Sequence, residues 1–225
     1  MSPAETFAQL LAQRSSIRAY LPTPVADDVL RDILIAARRA PSGANLQPGR
    51  FIRVQGEARQ QLTHDLIQAF RAGHDEGEDY DYFPKPMTMG LRRRQVAAAQ
   101  ALYESAGIAR EERAARDGQF ERNFSFFDAP VALVVTIDRE FGAGGYMDLG
   151  MALYGLMLAA QSHGLATCGI GALASFPNLI RHRLELERSS SIVCGMAVGH
   201  ADPHAPVNRT RTARCTLDDF FRSVG

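Results

Sequence analysis

Apolar positions recur along the chain with two periods, and the switches between them predict its elements. Phe7, Leu10 and Leu11 fall at helical spacing within residues 4–13, and Val29, Leu30, Ile33, Leu34 and Ala37 repeat that spacing over residues 27–39. Between these helices RSSIRAYLPTP carries two prolines, which restricts it to a short extended or loop segment. PSGANLQP is a second loop. FIRV then reads as a short strand and EARQQLTHDLIQAFRAG as a helix closed by Gly73. Residues 74–91 break the pattern with an acidic, aromatic run, HDEGEDYDYFPKP, and the stretch to about residue 118 has helical character with dense Arg and Glu. Residues 74–118 are therefore expected to leave the main body as an excursion.

Further along, PVALVVTID is β-branched and almost continuously apolar, as a central strand buried on both faces must be. Residues 147–163, MDLGMALYGLMLAAQSH, are apolar around most of a helical circumference and stop at Gly164. They predict a helix covered on several sides, suited to a subunit interface. Ser175 is placed to cap a helix from Asn178 to Leu186, SIVCGMAVGH reads as a second buried strand, and residues 201–215 form a Pro- and Arg-rich tail before a short terminal helix. This order describes an α+β domain.

Composition narrows the picture. At 225 residues and 46% hydrophobic content, residues 1–225 suffice for one domain with a substantial core. Lys plus Arg balance Asp plus Glu at 25 each, so no net field gathers nucleic acid or an anionic membrane. The N-terminus lacks a basic segment followed by an apolar one, and no later stretch approaches an uninterrupted membrane span, which points to the cytoplasm. Cys168, Cys194 and Cys215 are odd in number and show no C-x-x-C spacing, which argues against a disulfide framework and against zinc.

Candidate chemistry lies in the loops. Arg14, Ser15, Ser16 and Arg18 put two guanidiniums and two hydroxyls within five residues, a possible phosphate clamp. Arg209, Arg211 and Arg214 make a second cluster in the tail; either cluster read alone is equally a solvated surface. In PSGANLQP, the side chains of Ser42, Asn45 and Gln47 can hydrogen-bond a planar heterocycle or close their own turn. Gly169, Gly171 and Ala174 match G-x-G-x-x-A, yet they follow a long helix rather than an isolated strand and no acidic residue stands about 20 positions on, so a dinucleotide fold is rejected. His200 and His204 are four apart, but Pro203 and Pro206 oppose the helix that would pair them on a metal.

Taken in order, RSSIRAY, APSGANLQPGRF, HGLATCGIGALASFP and NRTRTARCTLDDF resemble the segments of the FMN-dependent nitroreductase family over nearly the whole chain. The resemblance implies a mixed central sheet flanked by helices in an intertwined homodimer, with FMN between the subunits. It assigns Arg14, Ser15, Ser16, Arg18, Arg211 and Arg214 to the FMN phosphate and ribityl chain. Pro41, Ser42, Gly43, Asn45 and Gln47 would meet the flavin of the partner, Gly169, Ile170 and Gly171 would offer a backbone N–H to flavin N5, and Asn123 would reach the pyrimidine edge. NADH or NADPH would donate electrons, and a small aromatic acceptor, a nitro compound or quinone, would receive them two at a time by a ping-pong scheme. The flavin does the chemistry, so no catalytic side chain is expected. Reductive dehalogenation on the same fold, or a non-catalytic FMN carrier, are the alternatives. Gly49 departs from the family pattern, which commonly has Trp there, as do Gly169 and Ile170, where Pro and a polar residue are common. The excursion, with Tyr80, Tyr82 and Phe83, resembles that of a subgroup containing nitrobenzoate-reducing enzymes and would overhang the active site.

Overall fold

The computed structural model of the chain describes residues 2–225. Its helices are α1 (Pro3–Gln13), α2 (Asp27–Ala37), α3 (Gly56–Arg71), α4 (Met89–Ser105), α5 (Arg113–Glu121), α6 (Ala143–Ser162), α7 (Pro177–Arg183) and α8 (Leu217–Phe220). Its strands are β1 (Arg50–Val54), β2 (Val131–Asp138), β3 (Ala166–Ile170) and β4 (Ser190–Gly199), joined antiparallel in the order β1-β2-β4-β3. A parallel bridge from Ser16 to Thr167 makes the sheet mixed at its β3 edge.

The apolar run of β2 occupies the interior of the sheet, and its side chains alternate between two cores. Val131, Leu133, Val135 and Ile137 join Leu30 and Ile33 of α2 with Leu149, Leu156 and Ala160 of α6. Ala132 and Val134 point the other way, to Leu62 and Leu66 of α3, Phe124, Phe126 and Phe127, and Ile180 of α7. Period two in the strand thus divides the domain into helix, sheet and helix layers, and both faces of β2 from Val131 to Ile137 are apolar except at the buried Thr136. Gly73 and Gly164, at φ +67° and +70°, end α3 and α6 in the left-handed conformation that glycine adopts without strain.

Three expectations need correction. Residues 166–170 are an edge strand, not a turn. ATCGI is short and contains a glycine, so its pattern carried too little signal, and its place comes from pairing with β4. G-x-G-x-x-A therefore does follow a strand, although that strand is antiparallel and leads into a 3-10 turn rather than an α-helix, so a dinucleotide fold is still excluded. Ser175 makes no cap. Helix α7 starts with Pro177 after Phe176, the Glu76 carboxylate accepts the N–H groups of Asn178 and Leu179 at 2.6 and 3.3 Å, and positive φ at Glu185 stops the chain before Leu186.

The excursion folds as two helices, α4 and α5, neither with a fully buried residue. They attach to the body through polar contacts, Ser105 with Thr210 and Arg71 with Glu121, and through Phe120, which stacks on Phe70 at 5.2 Å.

Candidate active site

Arg14 and Arg18 of the first cluster and Arg211 and Arg214 of the second open into one cavity, which Arg209 does not line. After α1 the chain runs extended beside β3: Ser16 bridges Thr167, the Ile17 N–H reaches the Thr167 carbonyl at 3.0 Å, and Tyr20 bridges Ala201. The tail is tied to this segment by Asn208. Its Oδ1 accepts the N–H groups of Arg18 and Ala19 at 2.8 and 3.1 Å, while its Nδ2 donates to the carbonyls of Ala19 and Asp202 at 2.8 and 2.9 Å. Arg14, Ser15, Ser16 and Arg18 thereby face Thr210, Arg211, Thr212 and Arg214 across a space of about 660 Å³. Ala98, Ala99 and Leu102 of α4 and Tyr154 of α6 supply its apolar wall.

No carboxylate lines this cavity, and Arg14, Arg18, Arg211 and Arg214 have no acidic partner among the described residues. Their only polar contacts are with nearby backbone and hydroxyl oxygens, such as Arg18 Nη1 with the Ser16 carbonyl at 3.2 Å and Arg214 Nη1 with Thr212 Oγ1 at 2.9 Å. Guanidiniums held this close together without compensating charge favour a bound anion, and their forked donors match a phosphate. Beneath them Cys168 is buried; burial pushes its thiol up, against the pull of Arg18, Ser16 and Arg14.

The PSGANLQP loop lines a different depression, of about 280 Å³, to which Pro41, Ser42 and Gln47 contribute with Arg38, Phe51 and Asp148. Its turn chemistry is local: Ser42 Oγ accepts the Gln47 N–H at 2.9 Å, and Gln47 Nε2 donates to the Asn45 carbonyl at 3.0 Å. Ala44, Asn45 and Gln47 all hold positive φ, a cost that tolerant surroundings must over-determine. Asp148 does so from α6, accepting the Gly43 N–H at 3.0 Å while itself 8% exposed. Gly49 has φ +94°, and a Cβ there would lie 2.5 Å from Leu149 Cδ1, so this backbone leaves no room for a larger residue. None of these residues enters the arginine cavity of the same chain.

Gly169 and Ile170 close β3, and Gly171 opens the following 3-10 turn. The ring of Tyr82 packs on Gly171: a Cβ there would lie 2.9 Å from Cε2, Cζ and the hydroxyl of Tyr82. Phe83 stands edge-on to that ring at 4.7 Å. Asn123 is placed elsewhere. Its Nδ2 donates to the Phe120 carbonyl at 2.7 Å at the end of α5, and it lines neither cavity.

Sequence reasoning missed Asn208, Asp148 and the α4 wall. Asp148 had a signal, being the single charged residue of α6 in an otherwise apolar helix. Asn208 lay within the tail segment NRTRTARC but carried no signal beyond its type.

The chain matches the model of the nitroreductase family over residues 11–200. It is 35% identical over 217 residues to the nitrobenzene nitroreductase of Ectopseudomonas oleovorans, covering 96% of this chain and 95% of that protein. It is 34% identical over 221 residues to the 4-nitrobenzoate reductase of Pseudomonas putida, covering 98% and 96%. Its fold superimposes with a TM-score of 0.92 on the FMN- and NADPH-dependent nitroreductase NfnB of Sphigopyxis sp. strain HMH, at 37% identity and over 97% and 99% of the two chains. The match over residues 11–200, the near full-length similarity and the superposition agree that the chain belongs to the nitroreductase family.

Proposed function

We propose that this protein is an FMN-dependent oxidoreductase that takes electrons from NAD(P)H and reduces aromatic nitro compounds, working as a homodimer. The observation that carries the reading is the single cavity where Arg14, Arg18, Arg211 and Arg214 meet Ser15 and Ser16 with no carboxylate among them. That donor set fits the phosphate and hydroxylated chain of FMN, and relatives of closely similar length are named for nitroarene reduction.

In this reading the six residues hold the phosphate end, and the backbone of Gly169, Ile170 and Gly171 lies along the ring. When bound, FMN supplies the two-electron chemistry that the side chains lack. The protein orients its reactants and excludes water, with the Tyr82 side of the excursion as one wall. Pro41, Ser42, Gly43, Asn45 and Gln47, gathered at a second depression, are offered to the site of the partner subunit. Asn123, whose Nδ2 also donates to the Phe120 carbonyl, has its carboxamide oxygen to offer to the pyrimidine edge of the ring.

Two features favour the dimer. The chain exposes 13913 Å², whereas a compact monomer of this size exposes roughly 10,000 Å². The excess includes apolar stripes: Met147, Met151 and Tyr154 on α6, and Leu217, Phe220, Phe221 and Val224 in the tail, are all exposed. No described helix is long and apolar enough to cross a membrane. Three unpaired thiols suit a reducing compartment, and we place the protein in the cytoplasm.

An absorption spectrum of the purified protein, with the released flavin identified and counted, tests the reading first. One FMN per chain, together with NAD(P)H oxidation that depends on an added nitroarene, is the expected result. A protein that neither contains nor takes up FMN would return the arginines to a solvated surface. FMN without turnover would leave a carrier.

A further inference from the structure

Three residues at the root of the excursion are bound to different parts of the body. Glu76 accepts the first free N–H groups of α7, at 2.6 Å from Asn178 and 3.3 Å from Leu179. Asp79, its side chain 7% exposed, accepts from Arg139 Nη2 at 2.6 Å, from Arg181 Nη1, and from the Ile192 N–H at 3.0 Å. Those three donors belong to the loop after β2, to α7 and to β4. Arg181 donates also to Asn178 Oδ1 at 2.7 Å and to the Ser190 carbonyl at 3.1 Å. Tyr80 follows, its hydroxyl donating to the Val193 carbonyl at 2.7 Å.

A carboxylate buried with two guanidiniums and a backbone N–H contributes little net stability against an apolar replacement, because desolvation offsets the attraction. What it supplies is a fixed geometry, since any displacement strands a buried charge. Glu76 and Tyr80 hold the same root, and beyond it α4 and α5 bury no residue fully. Three positions beyond Asp79, Tyr82 lies on Gly171.

We propose that Asp79 is a positioning residue: its ion cluster with Arg139 and Arg181 holds Tyr82 over Gly171 and so sets which nitroarene shapes the site admits. The proposal deepens the function argued above and rests on it. With the cluster intact, the backbone that carries Tyr82 is fixed and its ring stands as a wall that admits a flat ring such as nitrobenzene and hinders nitroarenes bearing substituents on both ortho positions. With the cluster broken, the wall yields.

The test compares kcat/KM for nitrobenzene and for a 2,6-disubstituted nitroarene on the same FMN-loaded preparations, because their ratio is independent of how much enzyme is folded. Asp79→Asn is expected to shift the ratio toward the bulky acceptor by about fivefold, as Tyr82→Ala does, with FMN per chain unchanged. In the Tyr82→Ala background Asp79→Asn should add nothing. An unchanged ratio, or the same shift in both backgrounds, overturns the proposal. Should Asp79→Asn fail to fold, Arg139→Ala removes only the half-exposed partner and is expected to give about a twofold shift in the same direction.

Hydrogen exchange gives a readout free of turnover: the Ile192 amide, which donates to Asp79, should exchange faster in Asp79→Asn while β2 stays protected, and unaltered exchange overturns the clasp itself. A wild-type protein without FMN or nitroarene turnover would instead sink the functional reading, leaving exchange to decide on the clasp alone.

Discussion

Asn208 Oδ1 accepts the backbone N–H of Arg18 at 2.8 Å across 190 positions of sequence. Through this contact and three others the carboxamide uses its full hydrogen-bonding capacity to join the two arginine-bearing segments. Asn208→Ala removes all four and leaves partly buried N–H and carbonyl groups without partners, at a cost of about 2–3 kcal/mol. Denaturant unfolding should show that loss, and FMN affinity should fall as well, because the two halves of the clamp separate.

Arg14→Ala and Arg211→Ala act on the cavity and not on the fold, since neither guanidinium has an acidic partner. Each should weaken FMN binding by roughly tenfold or more, the worth of a charge-assisted hydrogen bond to phosphate, with a melting temperature of the apoprotein near wild type. Affinity unchanged from wild type, measured by fluorescence titration of the apoprotein, would remove the arginines from the clamp.

Gly171→Ala puts a methyl where the Tyr82 ring lies, but the atoms it meets are the far end of a movable side chain. Stability should therefore change by less than about 1 kcal/mol, while acceptor preference changes. In a Tyr82→Ala background the same substitution should be almost silent on both counts, which parallel unfolding and steady-state assays would read.

Gly49→Ala is a different case. Its φ of +94° penalises any side chain, and the added Cβ would meet Leu149, a residue of the core. Destabilisation of about 1–3 kcal/mol is expected, and Leu149→Ala in the same chain should not restore it, because the backbone strain remains.

Cys194 is buried, and loss of solvation pushes its thiol from the ordinary value of 9.0 up to about 12. The folded protein thus keeps a proton that the unfolded chain releases, so this contribution to stability is complete below pH 9 and is lost as pH rises toward about 12. Cys168, also buried and raised, acts in the same direction. A thiol reagent at pH 8 should modify the exposed Cys215 at once and the other two only after denaturation. Rapid reaction of all three in the native state would show that the core opens.

Legibility in the sequence followed the strength of local patterns. β2 and β4 were readable because a long apolar run has few places to go except the interior of a covered sheet, and α2, α3 and α6 because a helical period repeats over several turns. β3 was not, since ATCGI has no period to read and becomes a strand only by pairing with β4. The cap of α7 was misplaced for a related reason: Ser175 has the right chemistry nearby, while Glu76 does the work from about 100 positions away.

The sequence by itself determined which residue types line the arginine cavity, the α+β order and, through four short segments in order, the family. Only the tertiary structure decided that Arg14 and Arg214 share one cavity, that the PSGANLQP loop faces a separate depression, that the Asn123 side chain donates to the Phe120 carbonyl, and that Asp79 joins the root of the excursion to Arg139 and Arg181. Local pattern reports what a residue does with its neighbours within a turn or two. A cavity, a buried ion cluster and a carboxamide bridging residues 18 and 208 are made by groups whose proximity is set by loop closure and by the packing of two cores against one sheet, and no window of sequence contains that information.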